Sequence, residues 1–380
     1  MTIYFDHNAT TPVDPAVVEA MLPYFSERYA NPSSIHAPGR MARAAIDTAR
    51  EQVAQLVNAH PSQVIFTSGG TEANNLALNV LATQPTAMFC VSAIEHASVL
   101  EAARRWQRRG WQLALAPVDS NGCLDEAAFA AILARRPALV SVMMANNETG
   151  VIQPLERISR LARASAAIVH SDAIQAAGKI AVDFKQSGVH MLSLSSHKLY
   201  GPKGAGALIV DKALDIEPLV LGGGHEKGLR SGTENVAAIV GFGKAAELAL
   251  SQLESRHQHM LRLRHYLEEA LRTMAGVHII SAAAPRLPNT VLIAIPGIEG
   301  ETLLMNLDAK GLALSSGSAC ASGDTEPSHV LVAMGLDETL ARSTLRISLG
   351  KETTQHECDT LLAAIKALTQ MGQKMAAVSW

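Results

Sequence analysis

Through the first 250 residues, short apolar runs alternate with longer stretches whose apolar residues recur at helical spacing. The apolar runs predict strands at 64–66, 87–91, 138–145, 168–170 and 191–196. The stretches with helical spacing predict helices at 15–24, 71–81, 98–109 and 155–166. Strands that alternate with helices of this length indicate a mostly parallel sheet covered by helices on both faces.

The pattern changes near residue 255. A long, charged helical stretch at 251–274 is followed by a predicted strand at 291–295 and a predicted helix at 301–309. A segment rich in glycine and serine comes next. We therefore predict a large amino-terminal domain and a smaller α/β domain after residue 255.

Composition and charge indicate a globular protein. Hydrophobic residues make up 48% of the 380 residues and charged residues 18%, which leaves ample apolar surface for a core. The net charge of −3 favours neither nucleic acid nor an acidic membrane surface as the main partner. The sequence contains no apolar run of about 18 residues, the length that a membrane-spanning helix needs.

The cysteines and the first residues predict a location. The four cysteines, Cys90, Cys123, Cys320 and Cys358, are far apart and form no C-x-x-C pair. The first residues contain neither the basic nor the apolar segment of a secretory signal. Thiols in a chain without an export signal are normally reduced. We expect a cytoplasmic protein with free thiols.

Three groups of polar residues follow predicted strands, at the edge where open parallel sheets bind ligands. Ser68-Gly69-Gly70-Thr71 lies between a strand and a helix, and the free N–H groups at a helix start suit a phosphate. Asp172 and Gln175 follow the strand 168–170, and a helical turn there would let both face one ligand. Lys198 follows the next strand, where partial loss of hydration lowers the pKa of a lysine and frees an amine nucleophile.

Each group also has an ordinary structural explanation: a strand–turn–helix corner, a helix-capping aspartate and a surface lysine. Together, however, they match the needs of pyridoxal phosphate, which takes a Schiff-base lysine, a partner for its pyridinium nitrogen and a phosphate cradle. Competing motifs are absent from the sequence, which has no G-x-x-x-x-G-K-[ST], no G-x-G-x-x-G and no cysteine or histidine pairs at zinc spacing. We expect a cofactor-dependent enzyme without a metal of its own.

Several longer motifs extend this pattern. The sequence resembles the group I cysteine desulfurases, the NifS/IscS type, over nearly its whole length. The matching stretches begin at the residues Asp6 (DHNATTP), Asn31 (NPSS), Phe66 (FTSGGTEANN), Glu95 (EH), Asn146 (NNETG), Asp172 (DAIQ), Ser195 (SSHKLYGPKG), Gly222 (GGGHE), Arg230 (RSGT) and Ser315 (SSGSACASG). The last stretch distinguishes group I from group II, in which a different, shorter segment carries the cysteine.

The resemblance implies an α/β fold of the aspartate-aminotransferase-like type, pyridoxal-phosphate fold type I. It implies a large domain over 15–255 and a small domain formed by 1–14 and 256–380, which carries the cysteine loop. It further implies a homodimer with the active site at the subunit interface.

The resemblance also implies roles for cofactor-binding residues. Lys198 would form the Schiff base with pyridoxal 5'-phosphate, Asp172 would pair with the ring nitrogen, and Gln175 would hydrogen-bond the phenolic oxygen. The phosphate would be bound by Gly70, Thr71, Ser195 and His197, and Thr233 would reach across the interface to the cofactor phosphate of the partner subunit.

For the reaction, the resemblance implies that Lys198 moves the Cα proton of L-cysteine and that His96 stacks over the ring and takes part in proton transfer. Asn147 and Arg346 would hold the substrate carboxylate, which a planar guanidinium binds in a bidentate manner. Cys320 would attack the substrate sulfur, and the products would be L-alanine and a persulfide on Cys320.

Two other classes of protein stay open. A pyridoxal-phosphate lyase acting on cysteine or selenocysteine would not need Cys320 as a nucleophile. A catalytically inactive sulfur carrier or scaffold-binding protein would not need Lys198 or Asp172, which are both present. The sequence does not decide which acceptor takes the sulfur, an iron–sulfur scaffold protein, a nitrogenase pathway or tRNA thiolation, and any contact of Cys320 with an iron–sulfur cluster would be transient.

Overall fold

The computed structural model describes residues 2–316 and 327–378, with side chains described through residue 370. The β-strands are β1 (Ile3–Tyr4), β2 (Val64–Thr67), β3 (Met88–Ser92), β4 (Gln112–Ala116), β5 (Leu139–Ser141), β6 (Ile168–Asp172), β7 (Met191–Ser195), β8 (Gly206–Val210), β9 (His278–Ile279), β10 (Thr290–Ala294), β11 (Leu312–Ala313), β12 (Ser315–Ser316) and β13 (Thr344–Ser348). The α-helices are α1 (Pro15–Met21), α2 (Pro23–Ser26), α3 (Ala37–Leu56), α4 (Gly70–Leu78), α5 (Ala97–Arg108), α6 (Glu126–Leu133), α7 (Leu155–Ala164), α8 (Phe184–Ser187), α9 (Val236–Ser251), α10 (Leu253–Arg272), α11 (Gly300–Asp308), α12 (His329–Ala333), α13 (Glu338–Arg342) and α14 (Gln355–Val378).

The central sheet has seven strands in the order β2-β8-β7-β6-β5-β3-β4. The strands β4, β3, β5, β6 and β7 run parallel, whereas β8 is antiparallel to both of its neighbours. The prediction of a mostly parallel sheet is therefore confirmed. The strand β8 was not predicted, because its five apolar residues directly follow a glycine-rich turn and stand next to no helical pattern.

Two predicted elements are shorter in the structure, for local reasons. The strand predicted at 138–145 ends at Ser141, where its pairing with β3 stops. Beyond this point the Met143 N–H donates to the Glu95 carboxylate at 2.6 Å, while Val142 and Met144 still donate to carbonyl oxygens of β6. The helix predicted at 71–81 is α-helical only to Leu78 and continues as a 3₁₀ helix over Asn79–Thr83.

A second, smaller sheet is antiparallel and has the order β12-β13-β10-β9. The amino-terminal segment lies with it, since β1 pairs with β11 and Asp6 forms a bridge with Ser348. The helices α9 and α10 meet near Gln252: α9 packs on α3, and α10 packs on α14 and β9. The exact domain limits at 14 and 255 stay a prediction.

Within the described ranges no single helix is long and apolar enough to cross a membrane. The pair α9 and α10 passes that test by length and composition, but its two helices are bent by 70° relative to each other.

Glu226 fastens the loop between β8 and α9 to β2, the edge strand of the central sheet. Its buried carboxylate accepts hydrogen bonds from both Arg50 terminal nitrogens, at 2.7 and 2.8 Å, and from the N–H of Phe66 at 2.8 Å. The Arg50 guanidinium also lies 4.8 Å from the centre of the Phe66 ring. Because both charges are largely removed from water, losing one leaves the other without compensation.

We predict that Arg50→Ala lowers the free energy of unfolding by about 3–5 kcal/mol, because the Glu226 carboxylate is left buried and unpaired. The matched control is Arg104→Ala. It removes an exposed ion pair to Glu101 and should cost at most about 1 kcal/mol. Urea denaturation of both variants measures the difference, and equal losses would contradict the role given to Arg50.

Candidate active site

A cavity of about 280 Å³ opens where the carboxyl ends of β6 and β7 meet the start of α4. The predicted site residues that line it are Gly70, Thr71, His96, Asn147, Asp172, Gln175, Ser195, His197, Lys198 and Arg346. Residues without a predicted role also line it: Asn8, Ala9, Ser98, Met143 and Ile174. One cavity therefore brings together ten of the residues singled out from the sequence.

The corner at Gly70 has the strand–turn–helix geometry that the sequence predicts. The strand β2 ends at Thr67 and α4 begins at Gly70, so the first N–H groups of this helix face the cavity edge. A side chain at residue 70 would place its Cβ only 2.2 Å from Cδ1 of Ile174, so glycine is needed for this close approach. Among the described residues, the Ser195 hydroxyl is buried without a hydrogen-bond partner. This corner therefore offers donors that a phosphate would satisfy.

His197 lies beside this corner and is uncharged at neutral pH. Burial lowers the pKa of His197 to about 4, and the charges of Lys198 and Lys203 act in the same direction. As a neutral ring, His197 can still donate one hydrogen bond to an anion.

Asp172 is the last residue of β6 and does not follow the strand as predicted. The side chain is only 4% exposed. Its two oxygens accept hydrogen bonds from Ile174 N at 2.9 Å and from Asn74 Nδ2 at 2.7 Å. Burial raises the pKa of Asp172, and these hydrogen bonds oppose that rise without cancelling it. A cationic ring nitrogen beside this carboxyl would hold it ionised.

Lys198 lies in a short 3₁₀ turn directly after β7. Its Nζ donates hydrogen bonds to the backbone carbonyl oxygens of Asn8 and, at 2.7 Å, of Ala9. Gln175 lies in the turn that follows β6, and its Nε2 donates to the same Asn8 carbonyl at 3.0 Å. The amino-terminal segment thus forms one wall of the cavity and contacts both residues.

Lys179 stands behind this wall and was not predicted. It is buried, and its Nζ donates to Gln175 Oε1 at 2.7 Å and to Asn8 Oδ1 at 2.9 Å. Burial lowers the pKa of Lys179 well below its usual value, helped by the charges of Lys198 and Arg346. No sequence signal marked this residue, because a lysine after a turn is typical of the surface.

His96 is the N-cap residue of α5 and lines the cavity between Asp172 and Lys198. Its Nδ1 lies 3.1 Å from Ser98 N and 2.8 Å from Ser98 Oγ. Burial lowers the pKa of His96; the nearby charge of Asp172 raises it, and that of Lys198 lowers it further. An uncharged imidazole therefore faces the cavity at neutral pH.

Arg346, on β13, brings a buried guanidinium to the cavity from the small sheet. Its Nη2 lies 2.6 Å from Asp6 Oδ1, and its Nη1 donates to the Asn147 carbonyl oxygen at 3.1 Å. Its Nε is buried without a hydrogen-bond partner among the described residues. Because this nitrogen lacks a partner, the guanidinium can still bind a carboxylate.

One predicted site residue that the structure describes is not part of this cavity. Thr233 is exposed and does not line it, so its proposed contact across a subunit interface stays a prediction. Cys320 lies outside the described residues. Cys90 and Cys358 are buried, and burial raises the pKa of each thiol to about 12.

The donor set fits pyridoxal phosphate. A lysine at the carboxyl edge of the sheet, a buried aspartate and a phosphate corner with unsatisfied donors define a pyridoxal-phosphate enzyme. The chain belongs to the aminotransferase class-V family, whose model matches residues 3–361. Members of this family depend on pyridoxal phosphate.

Within this family, the chain is similar in sequence to proteins named cysteine desulfurases. The chain is 43% identical over 380 residues to a cysteine desulfurase from Nostoc sp., covering 99% of this chain and 94% of that relative. It is 43% identical over 368 residues to the cysteine desulfurase NifS of Azotobacter vinelandii, covering 96% and 91% of the two chains.

The fold is also similar to that of solved structures. One described as a NifS-like protein superposes with a TM-score of 0.92 at 38% identity, covering 98% of this chain and all (100%) of that one. Another, described as SspA in complex with cysteine, has a TM-score of 0.82 at 33% identity and covers 93% of this chain and 100% of its own. The fold expected from the resemblance is confirmed.

We predict that Arg346→Lys raises KM for L-cysteine about 10- to 100-fold, because a single ammonium replaces a planar group and loses about 1.5–3 kcal/mol of charge-assisted hydrogen bonding. Steady-state kinetics with the cofactor-loaded protein measures this. Arg104→Lys, on an exposed helix face, is the control and should leave KM unchanged. An unaltered KM in Arg346→Lys would remove Arg346 from substrate binding.

Proposed function

We propose that this protein is a cysteine desulfurase, which takes the sulfur from L-cysteine, releases L-alanine and first receives the sulfur as a persulfide on Cys320. The observation that carries the proposal is the single cavity in which Lys198, Asp172, His96 and Arg346 meet. The named function of relatives that match nearly the whole chain supports it.

In this proposal the cofactor is held by residues of the central sheet. Gly70, Thr71, Ser195 and His197 would bind the phosphate. Asp172 would pair with the ring nitrogen, and Gln175 would donate its Nε2 to the phenolic oxygen. When bound, pyridoxal phosphate withdraws electrons from the bonds at the substrate's α-carbon.

The substrate would be oriented by residues of the small sheet and its neighbours. The Arg346 guanidinium, with Asn147, would bind the carboxylate of L-cysteine and so fix the direction of its side chain. Lys198 would take the proton from the α-carbon; when alanine forms, the β-carbon gains a proton and the α-carbon regains one. Asp6, which pairs with Arg346 at 2.6 Å, would keep the guanidinium in place before substrate arrives.

Cys320 distinguishes a desulfurase from a lyase. As a thiolate it would attack the substrate sulfur, so that a new sulfur–sulfur bond forms while the carbon–sulfur bond breaks. An unperturbed thiol has a pKa of about 8.5, so only a small part is ionised at neutral pH. A lyase would release the sulfur directly and would not depend on this residue.

A homodimer is part of the proposal, and an exposed apolar surface supports it. The amino-terminal region contains several large apolar side chains that are exposed. Leu22, Phe25, Tyr29 and Ile35 are 57%, 63%, 77% and 90% exposed. Contiguous exposed apolar residues of this kind are typical of an interface. A second copy would cover them by twofold symmetry.

The loop that carries Thr233 lies beside this surface. Ser33 Oγ is 3.2 Å from His225 Nε2, which connects the amino-terminal region to the 221–233 loop. Leu221, at the start of this loop, is 76% exposed. If a second copy covers the exposed apolar surface, the loop lies at the interface and Thr233 would reach the cofactor phosphate of the partner subunit.

The proposal leaves the sulfur acceptor open. An iron–sulfur scaffold protein is one acceptor that would fit, and any contact of Cys320 with an iron–sulfur cluster would then be transient.

The proposal also includes a cytoplasmic location. Within the described ranges, no group of three or more histidine, cysteine, aspartate or glutamate side chains is arranged to hold a metal ion.

We predict that Cys320→Ala abolishes both the protein persulfide and catalytic alanine release from L-cysteine, while the protein still binds its cofactor through intact Lys198 and Asp172. Alanine is measured by chromatography and the persulfide by mass spectrometry of the intact chain. Cys123→Ala is the control, since Cys123 is a half-buried turn residue outside the cavity. Alanine release at the wild-type rate from Cys320→Ala would instead establish a lyase.

A further inference from the structure

The peptide N–H of Ser98 determines which nitrogen of His96 can carry a proton. An N–H group can only donate, and Ser98 N lies 3.1 Å from His96 Nδ1, so Nδ1 must accept. A neutral imidazole with an acceptor at Nδ1 has its proton on Nε2.

The hydrogen-bond directions can also be assigned from His96 through the side chains of Ser98 and Asn74 to Asp172. Because Nδ1 accepts, the Ser98 hydroxyl, 2.8 Å away, must donate to it. The Ser98 oxygen is then free to accept from Asn74 Nδ2 at 2.8 Å, and the second hydrogen of this amide goes to Asp172 Oδ2 at 2.7 Å. Asn74 is fully buried, and Ser98 is only 8% exposed where it lines the cavity, so bulk water competes little for these bonds.

We propose that Ser98 is a positioning residue that holds His96 in the form with a proton on Nε2 and none on Nδ1, and that Asn74 joins this pair to Asp172. Within residues 2–316 and 327–370, the charged and titratable groups that act on His96 include Asp172 on β6, Lys198 after β7 and His329 on α12. A charged imidazolium would need a proton on Nδ1, where two donors from Ser98 already point.

This inference rests on the proposed function for its consequence. His96 would serve the reaction as a hydrogen-bond donor from Nε2, for example to a substrate sulfur that is gaining negative charge. It would not act there as the base that takes a thiol proton, because Nε2 has no lone pair to accept one. Deprotonation of the thiols would then fall to another group.

The chain contains a second copy of the local arrangement on its surface. His60 is the N-cap residue of a 3₁₀ helix, and its Nδ1 lies 3.1 Å from Ser62 N and 2.6 Å from Ser62 Oγ. His60 is exposed and does not line the cavity. The pair His60 and Ser62 therefore provides a matched control.

The test is NMR of the cofactor-loaded protein labelled with ¹⁵N-histidine, with His96 and His60 assigned from His96→Gln and His60→Gln. At neutral pH, His96 Nε2 should show the shift of a protonated nitrogen and Nδ1 that of an acceptor. Ser98→Ala removes one donor from the neutral ring, so the pKa of His96 should rise by about half to one unit. Ser98→Thr, which keeps the hydroxyl, should restore the wild-type titration, and Ser62→Ala should change only His60.

A proton on Nδ1 of wild-type His96 at neutral pH would overturn the proposal. So would an unchanged His96 titration in Ser98→Ala, since the serine hydroxyl would then have no part in it. These outcomes are independent of the proposed activity. If wild-type protein releases no alanine from L-cysteine, the desulfurase proposal fails, whereas the NMR result still decides the state of His96.

Discussion

One buried asparagine near the amino terminus joins the two sheets, and the cavity depends on it. The segment that contains Asn8 leaves the small sheet beside Ser348 and crosses to the carboxyl edge of the central sheet. Its backbone N–H and carbonyl and both polar atoms of its side-chain amide form hydrogen bonds. Its side chain contacts Asn147, Thr290, Lys179 and Asn289, and its backbone contacts Ser348, Gln175 and Lys198. Unpaired polar groups at this depth would be costly, so the network fixes how the two sheets meet.

The charges around the cavity follow from this arrangement. Lys198 and Lys179 come from the central sheet and Arg346 from the small sheet. Asp6 pairs with Arg346, the buried Glu148 also interacts with Arg346, and Asp172 interacts with Lys198. Lys198 and Arg346 suit a ligand with a phosphate and a substrate with a carboxylate. Burial is the main cause of the lowered pKa of Lys179, and the nearby charges of Lys198 and Arg346 lower it further.

Much of this site could be predicted because its chemistry lies at strand ends. Asp172, Lys198 and the corner at Gly70 each follow an apolar run, and that position alone places them at one edge of a parallel sheet. The roles of His96, Asn147 and Arg346 came from the resemblance, since a lone histidine or arginine carries no local signal of its partners.

Residues that act through others could not be predicted. Asn8 lines the cavity and Lys179 stands behind it, and the contact between them joins residues 171 positions apart in the chain. Ser98 is two residues from His96, but its role depends on the N-cap geometry of α5. The early end of the strand predicted at 138–145 likewise depends on a distant residue, since the Met143 N–H donates to the buried carboxylate of Glu95 and not to β3.

The central claim is that Lys198, held by the Asn8 carbonyl at the edge of the sheet, is the residue to which pyridoxal phosphate is attached. Borohydride reduction of the yellow protein, followed by proteolysis and mass spectrometry, tests it most directly. The account predicts that the reduced cofactor is found on the peptide containing Lys198 and is lost from it in Lys198→Ala. A cofactor adduct on Lys203 or Lys179 of the wild-type protein would contradict it.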